Sequence, residues 1–172
     1  MATYSIKLVD HTNSSDAFKG RLRTQIQGLF DQVFQGTSNS ATVAWGTGAA
    51  ADSVVMHFVD DISSSYIQAQ WPGADIRSDA GGHTRTRGGV TGSEFYKHDV
   101  IGGHRTMMQD IGYAKIVFHE TLHNQFPGWS AADIHGPQGG GGLALIHPQL
   151  PMTAKNIELM RRGLSVKNAQ LL

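Results

Sequence analysis

The chain has 172 residues, carries 14 basic and 14 acidic side chains, and contains no cysteine. This length fits a single domain with its own hydrophobic core. A net charge of zero gives no basic field of the kind that attracts nucleic acid or anionic membrane. The lack of cysteine excludes disulfides and thiolate metal sites. Since no apolar run approaches the roughly 18 residues that span a bilayer, we expect a soluble protein with neither a nucleic-acid nor a membrane partner.

The first third of the chain predicts a strand, a long helix and two further strands. Residues 3–9 alternate apolar and polar side chains, as in a half-buried strand. A helix follows up to Gly36, because capping serine and aspartate residues precede apolar side chains that repeat on one face. These apolar residues are Leu22, Ile26, Leu29, Phe30 and Val33. The short β-branched stretches 41–45 and 53–59, each bounded by turn residues, predict strands.

The middle of the chain is rich in glycine and predicts fewer regular elements. We predict a short helix over 63–70, then loops with one or two edge strands near 82–88 and 93–97. The apolar spacing over 106–125 predicts a second long helix, which Pro127 ends because the residue before a proline avoids helical geometry. The buried face of this helix is predicted to carry Met108, Ile111, Phe118 and Leu122.

The last part of the chain predicts a final helix after a glycine-rich loop. Thr153 can cap this helix, whose apolar face would carry Ile157, Met160 and Leu164. The element order indicates an α+β fold with one mixed twisted sheet, a long N-terminal helix, a second long helix and a small irregular C-terminal part. We expect a single domain over 1–172, with an upper part at 1–126 and a lower part at 127–172.

The stretch HETLH at 119–123 lies late in the second long helix. Residues four apart lie one above the other on a helix, so the imidazoles of His119 and His123 can both reach one zinc ion. Glu120, beside the first ligand, is close enough to take a proton from a zinc-activated water. With so few histidines and glutamates in the chain, this pattern is expected by chance only about 0.01 times. We therefore predict that both histidines bind zinc and that Glu120 is the general base.

In this motif the chain resembles the zincin metallopeptidases, whose active-site helix carries His-Glu-x-x-His. The predicted element order is similar to that of the metzincin branch, in which a strand, a helix and further strands precede the site helix. The chain departs from that branch after the motif, because Phe126 and Trp129 stand at the positions of its glycine and third histidine. Tryptophan cannot bind zinc, so the resemblance implies a zincin-like fold with a non-standard third ligand.

His135 is the preferred third ligand, since it follows the motif by 12 residues and the chain can reverse in between. His135-Gly136-Pro137 also resembles the SprT-type proteases, in which His-Gly-Pro commonly carries the last ligand. This second resemblance is confined to residues 119–137. The strand at the start of the chain and the neutral net charge fit it poorly.

Three other residues are alternative ligands or supporting residues. Asp133 would face the same way as His135 in an extended segment, so one of the two can bind zinc while the other supports it. Glu158 on the final helix would be the glutamate ligand of the gluzincin branch, although a solvated charge explains it equally well. His147, which precedes Pro148, fits a ligand, a hydrogen-bond donor to the transition state, or a plain loop residue.

Met152 directly precedes the predicted final helix. Metzincins have a methionine-containing turn beneath the metal at this point of the chain, so the resemblance implies a Met-turn at Met152. Filling of the core is the alternative interpretation of this methionine.

Together these features predict a zinc-dependent endopeptidase that acts on a peptide or protein substrate. Zn²⁺ held by His119, His123 and His135 would leave a position for the attacking water, and Glu120 would act as general base. The alternatives are a non-catalytic zinc-binding or interaction module and a zinc amide hydrolase with a non-peptide substrate. We favour catalysis because structural sites usually have four protein ligands, often cysteines, and have no use for the glutamate.

The compartment is only weakly indicated. The N-terminal sequence MATYSIKLVD has neither the charged nor the apolar region of a secretory signal peptide. We therefore expect a cytoplasmic protein, or one exported without a standard signal peptide. No sequence feature indicates an oligomeric state.

Overall fold

The computed structural model describes residues 1–47, 53–75, 81–101, 104–126, 154–162 and 168–172. These residues form a mixed α/β fold. The strands are β1 (Thr3–Asp10), β2 (Ser40–Trp45), β3 (Ser53–Val59), β4 (Gly82–Arg87), β5 (Val90–Tyr96), β6 (His98–Ile101), β7 (His104–Met107) and β8 (Ala169–Gln170). The helices are α1 (Asp16–Phe34), α2 (Tyr66–Gln70), α3 (Asp110–Gln125) and α4 (Ala154–Arg162), with a 3₁₀ turn at Ile62–Ser64.

The main sheet has the strand order β2-β1-β3-β5-β4, and parallel pairing dominates it. β4 pairs with β5 in the antiparallel direction and forms one edge of the sheet as described. β3 pairs with β5 only where His57–Val59 meets Glu94–Tyr96. Beyond that point β8 pairs in parallel with the start of β5, at Val90 and Thr91. The C-terminal residues thus complete the sheet where β3 and β5 separate.

Helices α1 and α3 pack side by side on one face of the main sheet, and α4 packs against both. The predicted apolar face of α1 is confirmed, because all five of its residues are buried in the core. Ser15 caps this helix by accepting a hydrogen bond from the backbone N–H of Phe18 at 3.3 Å. Burial of each large apolar side chain contributes roughly 1.5–3 kcal/mol, so this layer anchors both long helices to the sheet.

Several predicted elements are confirmed within one or two residues. The strands expected at 3–9, 41–45 and 53–59 are β1, β2 and β3, and the short helix expected near 63–70 is the 3₁₀ turn followed by α2. The final helix is present as α4, whereas its expected cap Thr153 and core residue Leu164 lie outside the described residues. None of the helices in the described ranges is long and apolar enough to cross a membrane.

The predicted start of the second long helix near Thr106 is wrong. Residues His104–Met107 form β7, which pairs with β6 in a separate two-stranded sheet, so the expectation of one sheet is wrong as well. All four side chains of β7 are exposed. Met108, expected on the apolar face of the helix, packs against the core from a position just before the helix. Gln109 has an extended backbone, and α3 begins after it at Asp110.

The strands expected near 82–88 and 93–97 are present as β4 and β5. Only β4 lies at an edge, because β5 lies inside the main sheet. Its polar residues Thr91, Ser93 and Glu94 are buried, and each has a hydrogen-bond partner that lies apart from it in sequence. Polar side chains at alternating positions are typical of a strand with a solvated face. Here tertiary partners replace the solvent.

Candidate metal centre

His119 and His123 lie one turn apart on α3 and face each other. Their Nε2 atoms are 3.0 Å apart, and the ring planes are inclined at 75°. His119 is buried and His123 is half-buried. The separation is less than twice the ordinary Zn–N distance of about 2.0–2.1 Å, so one ion can contact both nitrogens. Imidazole nitrogens are ordinary zinc ligands, and the pair therefore fits the metal that the motif predicts.

The direction of the two imidazoles follows from how α3 is anchored. Phe118 and Leu122 of the same turns are fully buried in the core, which fixes the rotation of the helix about its axis. At the N-terminus, the Asp110 carboxylate accepts a hydrogen bond from Nε of Arg21 at 3.0 Å and complements the helix dipole. At the other end the helix stops at Gln125, two residues before Pro127, as the sequence predicts.

Glu120 is the buried acidic residue beside the histidine pair. Only 6% of the residue is exposed, and its Oε2 accepts a hydrogen bond from Oγ1 of Thr84 on β4 at 2.7 Å. Burial raises the pKa of Glu120 to about 8, the Thr84 hydrogen bond opposes this shift, and the nearby Glu94 carboxylate adds to it. The motif glutamate is therefore buried and hydrogen bonded beside the two histidines.

Glycine at 82 brings β4 close to α3. A Cβ atom at Gly82 would lie 2.7 Å from Cγ2 of Ile116 and 2.8 Å from Cγ of Glu120. At the neighbouring Gly81, a Cβ atom would meet side-chain atoms of Ile116 and Met108 only. Because neither residue has a side chain, the strand backbone can approach the helix closely enough for Thr84 to contact Glu120.

A series of hydrogen-bonded polar side chains leads from β8 to Glu120. The Asn124 amide donates to Oγ of Ser93 at 2.8 Å, and Oγ of Ser93 lies 2.9 Å from Oγ1 of Thr84. Gln170 exchanges two hydrogen bonds with Asn124, at 2.8 and 2.9 Å. None of these polar residues was predicted to belong to the site. The small polar residues of β4 and β5 could have indicated such a series in the sequence. Which of them contact each other, however, depends on the register of the two strands.

Glu94 is next to Ser93 in β5, so its side chain lies on the opposite face of the sheet. Its carboxylate accepts hydrogen bonds from Oγ of Ser65 at 2.6 Å, the hydroxyl of Tyr96 at 2.8 Å and the backbone N–H of Ile67 at 3.0 Å. Three donors at a fully buried carboxylate are typical of a structural acid. Of the glutamates near α3, only Glu120 is next to the histidine pair.

Of the remaining predicted site residues, only Glu158 lies within the described ranges, and it does not join the pair. Glu158 is exposed on α4 and lies 3.8 Å from the Arg162 guanidinium. Within the described ranges, no third His, Cys, Asp or Glu completes a metal-binding group. The other four candidates lie outside the described residues, so their roles stay predictions. They are Asp133, His135, His147 and Met152.

Comparison with known proteins yields no relative. The chain matches no protein-family model, no curated protein and no solved structure. The functional conclusion therefore depends on the residues of α3 and β4 themselves.

Proposed function

We propose that the protein is a zinc-dependent endopeptidase in which His119 and His123 bind zinc and Glu120 is the general base. One observation carries the proposal: two imidazole nitrogens 3.0 Å apart lie beside a buried carboxylate on the next residue of the helix. Structural zinc sites do not need that carboxylate. His135 is the proposed third ligand, with Asp133 and His147 as alternatives.

The division of chemical work follows from the residues. Zinc, when bound, supplies a Lewis acid that polarises the peptide carbonyl and acidifies water. Glu120 accepts the proton of the attacking water and delivers it to the leaving amine. The burial of Glu120 keeps bulk water away from the carboxylate, so the proton stays at the reacting atoms.

The position of β4 supports a peptide as the substrate. β4 is the edge strand next to β5, and its Gly82 and Thr84 lie against α3. An extended peptide can add to such an edge through main-chain hydrogen bonds, which would bring its backbone close to Glu120. A non-peptide amide would not use this edge.

The first test separates metal binding from catalysis. Purified protein should contain about one zinc, and Glu120→Gln should keep that zinc while kcat for a peptide library falls at least about 100-fold. The matched control is Asp31→Asn, which changes an exposed carboxylate on α1 and should leave both properties unchanged. Equal cleavage by the wild type and Glu120→Gln would refute the proposed mechanism.

The second test identifies the third ligand by bound zinc alone. Single alanine substitutions at His135, Asp133 and His147 should give one variant that loses metal as completely as His119→Ala does. Loss of metal in Glu158→Ala alone would indicate a gluzincin-type site. Tight zinc binding without cleavage of any peptide would favour the zinc-binding module.

A further inference from the structure

We propose that Thr84 is a positioning residue for Glu120: its hydroxyl group holds one carboxylate oxygen and leaves the other to accept a proton from water. This inference rests on the proposed endopeptidase function and adds a residue from β4 to a site otherwise built on α3. Thr84 is not expected to touch the substrate's reacting atoms. It acts through the orientation of Glu120.

The contact between the two residues is specific to one oxygen. Oγ1 of Thr84 lies 2.7 Å from Oε2 of Glu120 and makes a longer contact of 3.3 Å to the backbone oxygen of the same residue. Among the described residues, none is hydrogen bonded to Oε1. The carboxylate therefore has one oxygen held by the sheet and one oxygen available for proton transfer.

The direction of the Thr84 hydrogen bond is determined by its neighbours. The Asn124 amide nitrogen has only protons to give, so Ser93 accepts from it at 2.8 Å. A serine hydroxyl carries a single proton, which Ser93 then donates to Thr84 at 2.9 Å. The one proton of Thr84 is left for Glu120. Ser93 and Asn124 are almost completely buried, which shields the hydrogen bond between them from water.

Asn124, the first residue in this series of hydrogen bonds, is held by the C-terminal strand. Gln170 of β8 donates to Oδ1 of Asn124 at 2.9 Å and accepts from its amide nitrogen at 2.8 Å. Oε1 of Gln170 also accepts from the backbone N–H of Val55 at 3.1 Å. These bonds fix which end of the Asn124 amide faces Ser93. The chain of donors is therefore oriented over its whole length, from β8 to Glu120.

A fixed carboxylate matters because proton transfer depends on geometry. Misplacement of a catalytic group by about 1 Å can reduce the rate on the order of 100-fold. A glutamate side chain has several rotamers, and without Thr84 its carboxylate would turn within the site. Loss of the hydroxyl should therefore reduce kcat and have little effect on substrate binding.

The experiment compares Thr84→Val, which replaces the hydroxyl by a methyl group, with Thr84→Ser, which keeps the hydroxyl. We expect kcat of the zinc-loaded Thr84→Val to fall about 10- to 100-fold, with KM within about threefold of the wild type. Thr84→Ser should stay within about threefold in both constants. A loss caused by packing alone would affect the serine variant more. Thr42→Val, on the exposed face of β2, is the matched control and should behave as the wild type.

Two readouts do not depend on activity. Titration of zinc into metal-free protein should give equal affinity in the wild type and both Thr84 variants, because Thr84 is hydrogen bonded to Glu120 and, among the described residues, to neither His119 nor His123. In metal-free protein, Thr84→Val and Glu120→Ala should be non-additive by about fivefold or more in the unfolding equilibrium constant, as expected for residues in contact. Additive effects would overturn the proposed contact.

The results distinguish the positioning role of Thr84 from the endopeptidase function on which it rests. If Thr84→Val turns over at the wild-type rate while Glu120→Gln is inactive, the positioning role is refuted and the endopeptidase stands. If the zinc-loaded wild type cleaves no peptide, the endopeptidase and the positioning role fail together. Loss of kcat in Thr84→Val with rescue in Thr84→Ser supports both.

Discussion

Gly82 is a residue of β4 at which a side chain would meet both α3 and the neighbouring strand β5. A side chain there would meet the backbone oxygen of Glu94 at 2.9 Å as well as Ile116 and Glu120. Side chains can rotate away from a new methyl group, but a backbone oxygen of a paired strand cannot. β4 would therefore have to shift relative to β5, and Thr84 would shift with it.

We expect Gly82→Ala to lower the free energy of unfolding by about 1–3 kcal/mol, as for other overpacked positions. Gly20→Ala is the matched control, because Gly20 is exposed on α1 and nothing lies within 4 Å of its virtual Cβ. That substitution should raise the free energy of unfolding by up to about 1 kcal/mol through helix propensity. Chemical denaturation measures both. A Gly82→Ala protein as stable as the wild type would contradict the close approach.

At the scale of elements, β8 shows how two residues can form a strand. Its backbone pairs with Val90 and Thr91 of β5, and the Leu171 N–H donates to the Thr91 carbonyl at 2.8 Å. Such a short ladder contributes little by itself. The side chain of Gln170 supplies further bonds to Asn124 and Val55, so polar side chains hold this strand in the sheet.

Gln170→Ala should therefore loosen the whole strand. Removal of the side chain leaves the buried Asn124 amide and the Val55 N–H without these partners, and each unsatisfied group costs about 1–3 kcal/mol. We expect a loss of about 2–4 kcal/mol in the free energy of unfolding and faster hydrogen exchange of the Leu171 amide. Gln25→Ala, on the exposed face of α1, should change stability by less than about 0.5 kcal/mol. Unchanged exchange at Leu171 would show that the backbone ladder suffices.

At the scale of the whole molecule, His57 connects three separate parts of the chain. Its Nε2 donates to the Leu171 carbonyl at 2.9 Å, its Nδ1 lies 2.9 Å from Nε2 of His11, and the Tyr66 ring stacks on it at 4.1 Å. The Leu171 carbonyl can only accept, so the proton of neutral His57 is on Nε2. Burial lowers the pKa of His57 to about 4; the Leu171 hydrogen bond opposes this shift, and His11 adds to it.

This shift predicts that stability falls as the solution becomes acidic. Between pH 6.5 and pH 4 the unfolded chain protonates this histidine and the folded chain does not, so the free energy of unfolding decreases as pH falls. The contribution is at most about 3 kcal/mol, and His83, whose pKa burial also lowers to about 4, acts in the same direction. Denaturation at pH 7, 5 and 4 should show a smaller slope for His57→Gln, which keeps a donor for Leu171 but does not titrate. An unchanged slope would contradict this assignment.

Much of the architecture was predictable because its signals are local. The apolar face of α1 repeats with the helical period, and β1 alternates apolar and polar side chains. β2 and β3 are short β-branched stretches between turns. The elements that were missed or misplaced depend on distant partners. β7 has four exposed side chains, the polar residues of β5 are satisfied by other elements, and β8 is too short to carry a pattern.

The four-residue spacing in HETLH was enough to predict that His119 and His123 share one face of a helix. The sequence by itself also determined that Glu120 lies beside them. The surroundings of that glutamate follow from the packing of the whole fold. Thr84, Ser93 and Asn124 come together only because of the strand register and the close approach of β4 to α3 that Gly82 permits. The periodicity of the sequence does not indicate the strand register or the distance between β4 and α3, because both depend on how the sheet and α3 pack against each other.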